Sequence, residues 1–174
     1  GGNFENLVKD PAAAVTSVTD TLDTSTVTLT ATSTVAEGGT VVYTASVGAP
    51  VTGSPVIVTL ANGQTITIAV GASSGTVNAV VSNDVLSGHA PVSNSITNVS
   101  GGNYENLVAD KTAVSTSVTD TVDTTTLSLT ATGNVNEGGS IVYTASLTNP
   151  AATPVTVTLS NGAVITIAAG KTTG

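Results

Sequence analysis

The chain has 174 residues, a net charge of −8, and no Cys, Met or Arg. Disulfides, thiol catalysis and thiolate zinc are excluded, as is binding to nucleic acid or an anionic membrane surface, which needs Lys and Arg to neutralise phosphates. With 34 Thr and 27 Val among 174 residues, about a third of the chain is β-branched, which suits strands rather than helices.

A mean hydropathy of +0.36 argues against a disordered chain. No apolar run is long enough to span a membrane, and the opening GGNFENLVKD has no signal-peptide pattern.

Taken in chain order, residues 1–24 contain one extended stretch ending at SVTD, and Val27, Leu29 and Ala31 then alternate with Thr26, Thr28 and Thr30 as a first strand. Val41, Tyr43 and Ala45 form the inward face of a second. Val56, Val58 and Leu60, then Ile66 and Ile68, flank Asn62-Gly63, a pair that favours a type I′ hairpin turn. Thr76–Val81, Val92–Val99 and Ala113–Val118 bring the count to seven short strands, the pattern of an immunoglobulin-like sandwich without its Cys pair and Trp. The pattern then restarts with Leu127–Ala131, Ile141–Leu147, Val155–Leu159 and Val164–Ala168, with Asn161-Gly162 as the matching turn.

The restart is a sequence repeat. GGNFENLVKD at Gly1 returns as GGNYENLVAD at Gly101, SVTDTLDTSTVTLTAT at Ser17 as SVTDTVDTTTLSLTAT at Ser117, and VAEGGTVVYTAS at Val35 as VNEGGSIVYTAS at Val135. A period near 100 residues is too long for a solenoid unit and matches a whole sandwich. The run TDTVDTTT offers no apolar pair for a core, so the junction is placed there. Residues 1–24 then read as the closing strand of a preceding repeat, 25–124 as a complete domain, and 125–174 as the N-terminal half of the next, with about 25 residues of that copy not included. A phase starting at Gly1, with a boundary at Ser100-Gly101, is the rival.

Catalytic constellations are sparse. The single His, His89, lies near Asp84 in the polar loop SNDVLSGHAP, but no nucleophile elbow, P-loop or dinucleotide fingerprint accompanies it, and the chain reads as a non-enzyme. The acids are more informative. Ten of the eleven recur at an offset of 100, as Glu5/Glu105, Asp10/Asp110, Asp20/Asp120, Asp23/Asp123 and Glu37/Glu137, whereas the Lys residues do not recur. Such acids are either solvated solubility charges or ligands for a hard cation. Calcium takes six to eight oxygens. Asp20-x-x-Asp23 with nearby backbone carbonyls could supply several, and Glu37, in the turn VAEGG, one more if that loop abuts the junction.

The segments GGNFENL, VTDTxDT, VxEGGxxVYTA and NGxxITI resemble the extender repeats of giant RTX-type bacterial adhesins, closest to large biofilm adhesion proteins of the LapA type. The resemblance implies tandem Ig-like sandwiches that form a secreted, cell-surface stalk, exported by type I secretion and stiffened by calcium at domain junctions. Carried over by position, it implies Asp20, Asp23, Asp120 and Asp123 as calcium ligands, with Glu37 and Glu137. Its expected partners are neighbouring repeats of the same chain and, through terminal strands, a second copy head to tail, with no nucleic acid, membrane insertion or small-molecule substrate. Two alternatives stand beside the spacer reading: a carbohydrate- or protein-binding Ig-like module, and a filament-forming surface subunit that exchanges strands between chains.

Overall fold

The computed structural model describes residues 2–174. It is all-β. Ten strands lie between Thr24 and Thr119: β1 (Thr24–Ala31), β2 (Thr34–Ala36), β3 (Thr40–Val47), β4 (Val56–Leu60), β5 (Thr65–Ile68), β6 (Ser74–Val80), β7 (Val92–Asn94), β8 (Ile96–Gly101), β9 (Asn106–Ala109) and β10 (Val114–Thr119). One sheet has the order β6-β3-β1-β9; facing it are β5-β4-β8 and β2-β10-β7. The Val/Thr alternation decides which residues meet between the layers. Val27, Leu29, Val41, Tyr43 and Ala45 come from the first sheet, and Val56, Val58, Leu60, Ile66, Ile68 and Ile96 from the facing strands, all buried in one cluster. Full burial of each Val, Leu or Ile side chain contributes about 1.5–3 kcal/mol.

One strand counted as single from the sequence pattern is divided, because the chain changes sheets within it, and two short strands fall outside the pattern. Val92–Val99 splits at Asn94-Ser95: β7 pairs with β10 while β8 pairs with β4. The buried Asn94 accepts from its neighbour Ser95 N–H (3.0 Å) and from Asn62 N–H (3.3 Å), which ties the break to the β4–β5 turn. The two strands outside the pattern are β2 and β9, three and four residues long, which gain their pairing from β10 and β1 far away in the chain. Seven strands therefore become ten.

The hairpin turns also differ from expectation. Among the described residues no non-glycine residue has positive φ, so Asn62 cannot occupy a type I′ turn, which needs φ > 0 at both central positions. Instead Gly63 N–H donates to Leu60 O (3.0 Å) and Leu60 N–H to Gln64 O (2.9 Å), with only Gly63 left-handed at φ 84°. This is the three-residue loop in which a type I turn is followed by a left-handed glycine. Gly162 repeats it, donating to Leu159 O at 2.9 Å with φ 84°.

The leading and closing strands run the same way. Thr24–Val27 of β1 pair in parallel with Asn106–Ala109 of β9, and Thr34–Ala36 of β2 with Ser117–Thr119 of β10. The chain therefore starts at one pole of the sandwich, beside Glu105 and Asn106, and leaves at the other, beside Ala36.

Residues 2–23 form no strand and are exposed throughout. Beyond Thr119 come two hairpins, β11 (Leu127–Ala131) with β12 (Tyr143–Leu147), and β13 (Val155–Thr158) with β14 (Val164–Ile167). They reproduce the register of the first copy: Leu127 faces Leu147 as Val27 faces Val47.

Candidate functional site

At the trailing pole the chain leaves β10 through Asp120-Thr121-Val122-Asp123, against two loops. One is the turn after β2. Gly39 N–H donates to Ala36 O (2.9 Å) and Gly38 has φ 70°, which a type II turn requires at its third position. Glu37 is thereby fixed between them, and its N–H donates to Thr119 O (3.0 Å). The loop does abut the junction. The other loop is Asn83–Gly88, between β6 and β7.

Glu37 is only 6% exposed. Its Oε2 accepts from Thr121 N–H at 3.2 Å, while its buried Oε1 has no hydrogen-bond partner. Asp120 turns towards the second loop and accepts from Gly88 N–H at 3.0 Å. That backbone bond chiefly, with lesser help from the Thr121 N–H and the charge of His89, holds the Asp120 carboxyl below its ordinary range against the opposing effect of burial. Asn83 links the remaining parts: its Oδ1 accepts from Thr121 Oγ1 (3.0 Å), and its Nδ2 donates to Asp123 Oδ2 (3.2 Å). Val85, Leu86 and Ser87 wall a cleft of about 210 Å³ that Asp120–Asp123 complete.

A buried carboxylate oxygen without a donor is costly and is relieved by a proton or a cation. The donors nearby are oxygens, carboxylate from Glu37 and Asp120 and neutral from Thr121 and Asn83, a set suited to a hard cation rather than a soft one. Among the described residues no three His, Asp or Glu side chains converge closely enough to hold a metal by themselves, so neutral oxygens and water would have to complete any shell.

The six acids singled out from sequence are not assembled into one place. Glu37, Asp120 and Asp123 lie at the trailing pole. Asp20 is exposed and accepts from Thr21 N–H (3.1 Å). Asp23 lies at the leading pole, where its N–H donates to Glu105 Oε2 at 2.6 Å. Glu137 is exposed in the turn that matches that of Glu37, where Gly139 N–H donates to Asn136 O (2.8 Å). The repeat explains the separation: the Glu37 loop abuts a linker whose acids come 83 and 86 residues later, and within this chain neither Asp20 and Asp23 nor Glu137 has a counterpart at that spacing. Sequence reasoning missed Asn83, Gly88 and Thr121, which act through backbone or amide groups. The recurrence of Glu5 as Glu105 was the signal available for the leading pole.

His89 and Asp84 do not form a relay. Asp84 accepts from Leu86 N–H (2.7 Å), and His89 Nδ1 donates to Ala90 O (2.7 Å).

The chain matches the LapA domain family over residues 23–121 and again over 123–174. It belongs to that family. The two LapA segments meet at the linker that carries Asp120 and Asp123, and the match makes the chain a repeat segment of adhesin type, from a structural rather than an enzymatic family. Comparisons with curated proteins and with solved structures gave no match.

Proposed function

We propose that this chain is a spacer segment of a secreted, cell-surface adhesin stalk, whose trailing poles bind calcium. The observation that carries the spacer reading is the parallel pairing of β1/β2 with β9/β10. Parallel first and last strands put the two ends of a LapA domain at opposite poles, so consecutive repeats extend a rod rather than fold back. The thirteen residues from Thr24 to Ala36, β1 and β2 with two residues between them, span on the order of 40 Å at about 3.3 Å each.

Calcium is supported by the unpartnered Glu37 Oε1 beside Asp120, where a divalent ion would neutralise both carboxylates. Glu37 and Asp120 would be its charged ligands, with Asp123, Thr121 and Asn83 close by. Binding would stabilise the domain by mass action and tie the linker to the pole it leaves. The domain partition this implies is residues 25–124 as the complete unit, with 1–24 and 125–174 belonging to its neighbours.

Calorimetry with calcium and with chelator tests the metal. Calcium at about 1 mM, the weak end of extracellular sites, is expected to raise the melting temperature. Glu37→Gln and Asp120→Asn abolish the rise, Asp123→Ala weakens it, and Asp20→Asn and Glu137→Gln leave it intact. Small-angle scattering on one, two and three repeats tests the rod. The maximum dimension is expected to grow by about 40 Å per repeat, and a dimension that stays constant sinks the spacer reading.

A further inference from the structure

We infer that the joint between the two LapA segments is stiff without a bound cation, because hydrogen bonds fasten the linker to both segments and leave only Thr124 between the two sets. Such a joint gives the spacer reading its stiffness but does not depend on calcium. It needs only the two segments of the family match, 23–121 and 123–174.

On the side the chain leaves, the pins follow one another along the linker. Thr119 O accepts from Glu37 N–H (3.0 Å), Asp120 from Gly88 N–H (3.0 Å), and Thr121 N–H donates to Glu37 Oε2 (3.2 Å). The last pin is Asn83. Its Oδ1 accepts from Thr121 Oγ1 (3.0 Å) and its Nδ2 donates to Asp123 Oδ2 (3.2 Å). One amide thus holds the linker at two points, stepping over the fully exposed Val122.

On the side the chain enters, the second segment takes hold at once. Asn149 Nδ2 donates to Thr125 Oγ1 (3.3 Å). Thr126 exchanges two bonds with Thr148: its N–H donates to Thr148 Oγ1 (3.0 Å) and its carbonyl accepts from Thr148 N–H (3.1 Å). Thr148 and Asn149 stand where the first segment has Gly48 and Ala49, which have no polar side chain to offer. The first segment pins its entering strand with other groups: Asp23 N–H donates to Glu105 Oε2 (2.6 Å) and Asn106 Nδ2 to Thr24 Oγ1 (3.0 Å). Position 23 is the equivalent of position 123. The same position is thus held by the segment ahead in one copy and by the segment behind in the other. Any swing is confined to the few soft dihedrals about Thr124, and a β-branched residue there favours the extended well.

The chain has no Cys, so Thr28→Cys with Ser128→Cys puts one spin label on each segment, at equivalent exposed positions of β1 and β11. Double electron–electron resonance in excess chelator reads the spread of distances between the labels. A single narrow distribution is expected. Inserting Gly-Gly after Thr124 frees the joint and should widen the distribution about twofold or more. Asn83→Ala combined with Asn149→Ala should widen it comparably, with the circular dichroism spectrum unchanged. A distribution in chelator as wide as that of the Gly-Gly chain, or one that the two Asn→Ala substitutions leave narrow, would overturn the proposal. A wide distribution that narrows only when calcium is added also overturns it, while the calcium reading stands. A narrow one in chelator, with no effect of calcium on the melting temperature, supports the joint and removes the calcium.

Discussion

The two LapA segments of this chain have nearly the same sequence but different fates. In the first, Val27, Val41 and Tyr43 are buried to within 1% of completely; in the second, Leu127 and Ile141 are about half exposed and Tyr143 is only partly covered. The hairpins are the same in both, residue for residue in register. Pairing within a hairpin is thus encoded locally, by alternation and by a left-handed glycine in the turn, while burial is not. It needs the strands from Ile96 to Thr119, which are far away in sequence and extend both sheets, β9 beside β1 and β8 beside β4. Ala145 and Ile167 are the exceptions, at 0% and 1% exposed; Ala145 exchanges backbone bonds with Gly174, so the chain's last residues already cover one edge there.

Matched substitutions in the two segments can break this contrast. The largest difference is expected at the tyrosines. Tyr43→Ala removes a fully buried ring and should cost about 3–5 kcal/mol, whereas Tyr143→Ala should shift the main denaturant transition by less than about 1 kcal/mol. Similar losses at both sites would mean that the second segment is as tightly packed as the first.

Next is the closing strand itself. Thr116 is fully buried and its Oγ1 donates to Thr32 O at 2.7 Å. Thr116→Val should cost about 1–2 kcal/mol, since a buried carbonyl loses its donor. Thr16→Val, at the exposed counterpart, should leave the urea midpoint unchanged.

The turns come third. Gly63→Ala forces a side chain into a left-handed conformation and should cost about 1 kcal/mol. Gly162→Ala imposes the same local strain, but the main transition should not register it.

The smallest expected effect sharpens the contrast through pH. The Asp120 carboxyl is held below its ordinary value of 3.8, first by the Gly88 N–H bond. A lowered folded pKa means that the unfolded chain takes up the proton first on acidification. The contribution of Asp120 is therefore complete above the unfolded value and is lost as pH falls through the folded one. Asp120→Asn should flatten the acid limb of a stability-against-pH curve below about pH 4, and an unchanged limb would remove Asp120 from the network. Asp110, lowered by its hydrogen bonds with Thr112, should act in the same direction and provides an internal comparison.

The carboxylates show where sequence reasoning reaches its limit. Recurrence at an offset of 100 singled out Glu37, Asp120 and Asp123 because the repeat preserves them without basic partners. It also drew in Asp20, Asp23 and Glu137, since spacing cannot tell which copy's acid faces which copy's turn. Asn83 and Gly88 gave no signal, because an amide or a backbone N–H in a polar loop looks like any other loop residue.

Composition and period alone determined that the chain is all-β and that it repeats every 100 residues, because Val/Thr alternation and turn residues act over a few positions. Only the tertiary structure decided where strands divide between sheets, that β1 and β9 run parallel, and that the Glu37 carboxylate is buried with one oxygen unpartnered. The last two depend on contacts between residues more than 80 positions apart, and no local pattern carries the free energy of closing a loop that long.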